Sequence, residues 1–269
     1  MTLLETRGLP AINLVRTGPR GQAPVLLLHG LGLNLTWWGD QIEAFGRDRD
    51  VIAFDLPGHG LSGKLACPPS FDVMADVVHA VLTHVDAGPA HLVGISVGGM
   101  IAQTFAVRHP ELVQSLTLVA TLCTFSDAGR EALRERASVA RTHGMSRIAQ
   151  LSNARWFPPS FRERRPDVLD RATTCLLSQD AEFHASMWEM VARLDLERSI
   201  STIGCPTLVV AGTEDVNAPV AAATRIADAI VGAALEAMSG LGHFPPLEAP
   251  TAFHTLLRRF LSAPGRAQS

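Results

Sequence analysis

The stretch Gly94-Ile95-Ser96-Val97-Gly98 decides the fold of this chain of 269 residues. An apolar run from Ala90 to Val93 precedes it and a second apolar segment follows, which predicts a strand, a tight turn and a helix. Flanking glycines let the strand and the helix pack closely while the serine hydroxyl projects outward from a strained turn. The pattern indicates a nucleophile elbow at Ser96, but five common letters do not establish catalysis without partners elsewhere.

An oxyanion hole is predicted after the first strongly apolar run. Val25 to Leu28 reads as a short buried strand that ends in His29-Gly30-Leu31-Gly32, where glycines permit a sharp turn. The N–H of Leu31 would point toward the reacting carbonyl, and the N–H of Val97 would be its partner. An ordinary glycine-rich loop is the alternative interpretation.

The acid that orients the base is expected between the nucleophile and the base in chain order. The run from Pro206 to Gly212 reads as another buried strand, and it leads into Thr213-Glu214-Asp215. Asp215 is the predicted acid, and Glu214 is its nearby competitor. An acid could instead follow the strand-like run that begins at Ser115. Residues 116–126 contain no carboxylate, so this alternative position is excluded.

His243 is the predicted general base. It lies among glycines and prolines in a loop, and it follows both the predicted nucleophile and the predicted acid. His254 also follows them but sits in the last helical pattern, and His29 and His59 are expected to shape the site. Surface, packing or pocket roles are expected for the other six histidines, at 79, 84, 91, 109, 143 and 184.

Strand-like and helical patterns alternate along most of the chain. This alternation predicts an α/β fold with a mostly parallel sheet and helices on both faces. Leu3 to Arg7 and Ala11 to Arg16 are expected to form an antiparallel hairpin at the sheet edge, and the tail from Ser262 is expected to fray. The predicted strands are 25–29, 51–55, 90–95, 115–121 and 207–212, and the predicted helices are 37–46, 71–86, 98–109, 218–230 and 251–262.

The stretch 122–197 interrupts this alternation with helical patterns and no strong strand run, which predicts a helical cap on a core formed by residues 1–121 and 198–269. Between residues 130 and 171 there are ten arginines and five acidic residues, a local charge of +5 in a chain of net charge −3. Such an excess would favour an anionic substrate. A solvated helix face is the alternative, because arginine is abundant throughout the chain.

Composition excludes several classes of function. No apolar run approaches the roughly 20 residues that span a membrane, and no basic segment followed by an apolar stretch begins the chain. We therefore expect a cytoplasmic protein without a membrane partner. The four cysteines lack the spacing of metal ligands or dense disulfides, and the modest net charge argues against nucleic-acid binding. We expect free thiols and no metal.

With these motifs in order, the chain resembles the α/β hydrolases. Asp55-Leu56-Pro57-Gly58-His59-Gly60-Leu61-Ser62 adds to the resemblance, which covers nearly the whole chain. The segment from Gly94 to Gln103 and the cap sequence Arg155-Trp156-Phe157 are similar to the 3-oxoadipate enol-lactonases of aromatic catabolism. Val97 departs from the Met or Leu usual in that family, and this chain contains no tyrosine.

The resemblance implies hydrolysis of a lactone or ester through an acyl-enzyme. Ser96 would attack, His243 would take its proton, Asp215 would hold the imidazole, and the Leu31 and Val97 N–H groups would bind the oxyanion. No cofactor is needed. The expected substrate-pocket residues, each of which also suits plain packing, are Trp37, Trp38, Arg155, Trp156 and Trp188.

Two other functions fit the same motifs. A general carboxylesterase or a cofactor-free perhydrolase would use the same triad with a different pocket. A small-molecule receptor on a hydrolase fold would bind its ligand without turnover, and an intact triad argues against it. The oligomeric state is left open by the sequence.

Overall fold

The core of the protein is a sheet of eight strands in the computed structural model, which describes residues 2–4 and 9–262. The strands lie in the order β1-β2-β4-β3-β5-β6-β7-β8. Pairing is parallel from β4 to β8, whereas β2 is antiparallel to both β1 and β4. The strands are β1 (Thr2–Leu4), β2 (Ile12–Thr17), β3 (Val25–Leu28), β4 (Val51–Phe54), β5 (Ala90–Ile95), β6 (Val113–Val119), β7 (Thr207–Gly212) and β8 (Ala234–Met238).

Helices cover both faces of the sheet, because neighbouring residues of a strand point to opposite sides. Leu26 and Leu28 belong to one buried cluster, which includes apolar residues of α2 and α3, whereas Val25 and Leu27 belong to a second cluster with residues of α10. No helix of the described ranges is both long enough and apolar enough to cross a membrane. The helices outside the insertion described below are α1 (Gly39–Phe45), α2 (Phe71–His84), α3 (Val97–Arg108), α8 (Val220–Ala229), α9 (Pro245–Glu248) and α10 (Pro250–Ser262).

The predicted fold class is confirmed, and the five predicted strands are present with ends that differ by at most two residues. The predicted edge hairpin corresponds to β1 and β2, although residues 5–8 lie outside the described part of the chain, as do residues 263–269 of the predicted tail. The sequence analysis missed β8. Its sequence, Ala-Leu-Glu-Ala-Met, contains no β-branched residue, and an edge strand that is partly exposed lacks a strong apolar signal.

Four helices lie between β6 and β7, in the stretch for which the sequence predicts a cap: α4 (Asp127–Trp156), α5 (Pro159–Arg164), α6 (Pro166–Leu177) and α7 (Ala181–Ala192). Helix α4 is broken at Gly144, whose backbone has φ 70° and ψ −178°. An antiparallel bridge between Thr124 and Asp195 joins the two ends of the stretch. The domain boundaries themselves stay a prediction.

Close backbone packing around α3 explains two glycines of the elbow. A Cβ atom on Gly98 would lie 2.3 Å from the carbonyl oxygen of Leu28 and 2.6 Å from that of His29. A Cβ atom on Gly94 would lie 2.4 Å from the carbonyl oxygen of Gly98. Backbone atoms cannot move aside as a flexible side chain does, so both positions require glycine.

We therefore expect Gly98→Ala to lower the free energy of unfolding by about 1–3 kcal/mol, the usual cost of overpacking, and to reduce activity. Gly39→Ala is the matched control, because that glycine has helical angles and a Cβ there would meet nothing within 4 Å. The control should leave stability unchanged or raise it by up to about 1 kcal/mol. Urea unfolding measures both effects, and equal stability of the two variants would contradict the packing argument.

Candidate active site

Ser96 occupies the turn between β5 and α3 with a strained backbone, φ 55° and ψ −120°. Such a conformation persists only where surrounding contacts hold it. The N–H of Ser96 donates to the carbonyl oxygen of Val119 at 2.9 Å, and its own carbonyl oxygen accepts the Thr121 hydroxyl at 2.7 Å and the Met100 N–H at 3.1 Å. These bonds fix the half-buried serine at the carboxyl edge of the sheet.

The backbone N–H groups of Leu31 and Val97 are free beside this serine. Both residues are buried and line the same cavity as Ser96. Within residues 2–4 and 9–262, neither N–H donates to a protein acceptor. Val97 is also the first residue of α3, where the helix dipole favours negative charge. The two groups have the properties expected of oxyanion donors.

The loop that carries Leu31 is held by the buried ring of His29. The N–H of Leu56 donates to His29 Nε2 at 2.9 Å, which leaves Nδ1 to donate to the carbonyl oxygen of Gly30 at 2.8 Å. Burial lowers the pKa of His29 to about 4. The ring is therefore neutral near pH 7, and it positions the loop, as the sequence analysis expected, without joining the acid and base.

Asp55 ties the end of β4 to three other segments. Its Oδ1 accepts the N–H of Leu35 at 2.7 Å, and its Oδ2 accepts the Asn13 side-chain amide at 2.7 Å and the Leu61 N–H at 2.9 Å. A Cβ on Gly60 would lie 2.2 Å from the same oxygen. This network explains why the aspartate and the glycine occur together in the motif that follows β4.

The structure brings Asp215 and His243 together. Asp215 Oδ2 lies 2.7 Å from His243 Nδ1, and Oδ1 accepts the N–H groups of Asn217 at 2.7 Å and Ala218 at 3.2 Å. Burial acts to raise the pKa of Asp215, but the His243 ring and the two backbone donors outweigh burial and hold the pKa below its ordinary value. Glu214, the competitor, is exposed to solvent. Asp215 is thus the carboxylate that contacts the imidazole.

Glu248 holds the loop of His243, and the sequence analysis missed this residue. Its Oε2 accepts the N–H of Gly242 and its Oε1 accepts the N–H of Phe244, both at 2.8 Å. The two donors flank the histidine in the chain, so one carboxylate fixes the backbone on both sides. Burial raises the pKa of Glu248. The signal in the sequence is a glutamate two residues after the Pro245-Pro246 pair, at the end of the short helix α9.

A cavity of about 220 Å³ opens onto Ser96 and His243, and Arg155, Trp156 and Trp188 line it, while their contact with a substrate stays a prediction. Most of its wall is apolar. No aspartate or glutamate of the described residues lines it, whereas two arginines do. Arg136 is the second arginine, and the sequence offered no way to single it out among the ten in its segment. The other lining residues are Gly30, Leu31, Val97, Met100, Leu122, Phe125, Gly129, Ala132, Leu133, Val191, Asn217 and Phe244.

The prediction for Trp37 and Trp38 requires correction, because neither indole lines this cavity. A 3₁₀ turn from Leu35 to Trp38 places both side chains in the hydrophobic core. Trp37 packs 6.0 Å from the Phe244 ring and beneath the guanidinium of Arg171, which lies 4.4 Å from the indole centroid. Both tryptophans border a much smaller recess behind Phe244. Their role in the structure is packing.

Two further buried histidines lie between the core and α7. The His59 ring lies 5.3 Å from that of His29, and His184 Nε2 accepts the indole N–H of Trp188 at 3.0 Å. Burial is the main cause that lowers the pKa of each, to about 3 for His59 and about 3 for His184. With His29, three buried imidazoles are therefore neutral near pH 7.

Comparison with known proteins gives a consistent result. A family model described as the alpha/beta hydrolase fold matches residues 23–250. The 3-oxoadipate enol-lactonase 2 of Acinetobacter baylyi is 31% identical over 254 residues, which cover 93% of this chain and 94% of that protein. The crystal structure of the enol-lactonase from Burkholderia xenovorans LB400 has a TM-score of 0.89 at 29% identity, covering 94% of this chain and 97% of that one. A thermophilic esterase from Thermogutta terrifontis, solved with malate bound, has a TM-score of 0.88 at 28% identity, covering 97% of this chain and 96% of that one.

These similarities confirm the resemblance inferred from the sequence, to α/β hydrolases and to 3-oxoadipate enol-lactonases. They also confirm the expectation of an enzyme.

We expect Glu248→Gln to lower kcat about tenfold or more with a smaller change in KM. A glutamine has one acceptor oxygen, so one of the N–H groups beside His243 loses its partner, at a cost of about 1–3 kcal/mol. Glu214→Gln, on the neighbouring exposed carboxylate, is the matched control and should keep wild-type kinetics. Steady-state ester hydrolysis measures both, and a wild-type kcat for Glu248→Gln would show that the carboxylate does not position the base.

The neutral histidines predict how stability depends on pH. The unfolded chain takes up protons on these imidazoles near pH 6.5, whereas the folded chain does so only near pH 3–4. The free energy of unfolding should therefore fall as the pH drops from 6.5, by up to about 1.4 kcal/mol per pH unit for each ring. His59→Gln should reduce this dependence of the free energy of unfolding on pH by up to about 1.4 kcal/mol per pH unit, because one of the three buried rings is removed.

Urea unfolding at pH 7.5, 6.5, 5.5 and 4.5, values chosen to span roughly the interval between the two protonation steps, measures the slope. His79→Gln is the control, because His79 is exposed, and it should retain the wild-type slope. Identical slopes for wild type and His59→Gln would contradict the assignment of a neutral buried ring.

Proposed function

This chain belongs to the α/β-hydrolase family, and we propose that it is a serine hydrolase that cleaves the ester bond of a small lactone or carboxylic ester. The observation that carries the proposal is the 2.7 Å contact between His243 Nδ1 and Asp215 Oδ2, beside a cavity that Ser96 also lines. A carboxylate on Nδ1 selects the tautomer in which Nε2 can accept the proton of a serine hydroxyl.

The proposed reaction proceeds through an acyl-enzyme. Ser96 Oγ attacks the carbonyl carbon while His243 Nε2 takes the hydroxyl proton, and the Leu31 and Val97 N–H groups bind the oxyanion. When the intermediate collapses, the ester C–O bond breaks and His243 returns the proton to the leaving oxygen. Water, activated by the same imidazole, then releases the acid and regenerates the serine. The sequence of steps requires no cofactor.

3-Oxoadipate enol-lactone is the candidate substrate within this proposal, with a role in aromatic catabolism. Its support is similarity over more than nine-tenths of the chain to one enol-lactonase in sequence and to another in structure. A cavity of about 220 Å³ suits a compact molecule of this kind. A general carboxylesterase, a perhydrolase and a non-catalytic receptor are outcomes that the assays below distinguish.

The proposal keeps the predicted division into a core, residues 1–121 and 198–269, and a helical cap, residues 122–197. Its support is the cavity wall, which combines Ser96 and His243 of the core with Leu133 and Trp188 of the cap.

A cytoplasmic location is also part of the proposal. All four cysteines are free, as is usual in reducing compartments.

Ser96→Ala, His243→Ala and Asp215→Asn should each lower kcat by about 10⁴-fold or more while leaving the fold intact. The three groups act as one unit, so a double variant should be little worse than a single one. Hydrolysis of the enol-lactone and of an aryl ester measures the loss. A fluorophosphonate should add one adduct to the wild type and none to Ser96→Ala by intact mass.

Near-full activity of Asp215→Asn combined with inactivity of Glu214→Gln would overturn the assignment of the acid. A panel of lactones, neutral esters and peroxide acceptors identifies the preferred reaction. Ligand binding without turnover of any of them would identify a receptor and refute the proposed enzyme.

A further inference from the structure

Arg136 is a cation inside the candidate active-site cavity, and no acidic side chain of the described residues neutralises it. It is half-buried in α4 and lines the cavity together with Ser96. Within residues 2–4 and 9–262 its guanidinium forms no ion pair and donates no hydrogen bond to the protein. Neighbouring arginines of α4 are paired: Arg134 contacts Glu131, and Arg141 contacts Glu182 and Glu189.

Keeping this charge unpaired is costly. Burial and, next, the charge of Arg155 lower the pKa of Arg136 to about 10, and the group remains charged near neutral pH. A partly desolvated cation beside a second cation is destabilising unless an anion compensates it. No carboxylate of the described residues lines the cavity, so the described protein supplies no such anion there and a bound molecule can supply it.

The surroundings of Arg136 hold the group in place while leaving its donors available. Its guanidinium lies 5.1 Å from the centre of the Trp188 ring, within range of a cation–π interaction. The Trp188 indole is held in turn, because its N–H donates to His184 Nε2 at 3.0 Å. This contact uses no hydrogen-bond acceptor, so the five N–H donors of the guanidinium stay available to a ligand.

Arg155, which the sequence analysis expects in the substrate pocket, is placed differently. It is exposed, and its Nε donates to Asn217 Oδ1 at 2.9 Å, while the Asn217 side chain donates to the Arg155 carbonyl oxygen at 3.0 Å. Asn217 also donates its backbone N–H to Asp215. Arg155 is thus bound to the loop of the acid, and water screens its charge more than that of Arg136.

We propose that Arg136 is the anion subsite of this enzyme and binds a carboxylate carried by the ester or lactone substrate. The inference rests on the proposed function and adds the residue that recognises the charge of the substrate. A planar guanidinium matches a carboxylate through two parallel N–H···O bonds. In this cavity of about 220 Å³, the carboxylate and the reacting carbonyl must belong to one compact molecule. The preferred substrates are therefore short carboxylate-bearing esters and lactones.

The test compares two esters of similar length, monophenyl glutarate and phenyl pentanoate, which differ in a terminal carboxylate against a methyl group. The wild type should prefer the anionic ester in kcat/KM. Arg136→Met should lower the ratio of the two kcat/KM values by about 10- to 100-fold, the usual worth of a charge-assisted hydrogen bond, mainly through KM. Arg136→Lys, which keeps the charge but not the fork, should lower it less and serves if the methionine variant does not fold.

Arg134→Met is the matched control, because Arg134 lies on the same helix, is exposed and is absent from the cavity wall. It should keep the wild-type ratio. A wild-type preference for the neutral ester, or an Arg136→Met variant that retains the wild-type ratio, would overturn the proposal. So would a loss of anion preference in Arg155→Met that Arg136→Met does not reproduce.

Binding of glutarate to Ser96→Ala, measured by calorimetry, separates this inference from the proposed reaction. The double variant Ser96→Ala/Arg136→Met should bind glutarate about 10-fold more weakly or worse, whether or not the wild type turns over any ester. Weakened binding together with an inactive wild type would sustain the subsite and refute the hydrolase. Unchanged glutarate affinity would overturn the subsite even if the enzyme hydrolyses both esters.

Discussion

The close approach of α3 to the carboxyl end of β3 is the constraint on which the active site depends. At Gly98 the helix backbone comes so near to the carbonyl oxygen of Leu28 that a methyl group would lie 2.3 Å from it. The same contact brings the loop after β3 against the serine, and a Cβ on Gly30 would lie 3.5 Å from that of Ser96. Ser96 and the N–H groups of Leu31 and Val97 thus meet because two backbones touch.

The parallel sheet gathers the remaining groups at the same edge. Strand β7 leads to Asp215 and β8 leads to the loop of His243, and these strands are neighbours. Their ends also touch: a Cβ on Gly212 would lie 2.1 Å from the carbonyl oxygen of Gly242. Gly98 and Gly212 therefore lie where segments that carry site residues pack backbone against backbone. These contacts are at the carboxyl ends of the strands, where open parallel sheets bind ligands.

This dependence explains how much of the site could be predicted from the sequence. The sequence points to Ser96, Asp215 and His243 through a local signal, because each follows a strand or lies in a glycine-rich loop in a fixed chain order. Trp37 and Trp38 were assigned to the pocket because their loop belongs there, yet a local 3₁₀ turn directs both indoles into the core. The backbone angles of this turn set the direction of the two indoles, and the sequence motif does not fix those angles.

Glu248, Arg136 and β8 were missed for a different physical reason, since long-range contacts define them. Glu248 matters through two N–H groups that a loop presents to it. Strand β8 has a weak intrinsic preference and forms by pairing with β7. Arg136 differs from the other arginines of its helix in donating no hydrogen bond to the described residues and in lying beside the Trp188 ring. No window of sequence contains these contacts.

The surroundings of each ionisable group in and near the site set its protonation state. The imidazoles of His29, His59 and His184 are neutral near pH 7 because burial disfavours their protonation, so they add no positive charge next to the site. The acid, in contrast, stays ionised because the His243 ring and two N–H groups oppose the effect of its burial. Its negative charge therefore faces the imidazole and not the cavity, whose charged lining residues are Arg136 and Arg155. If the substrate carries a carboxylate, as we propose, that group compensates the positive charge of the cavity wall when the substrate binds.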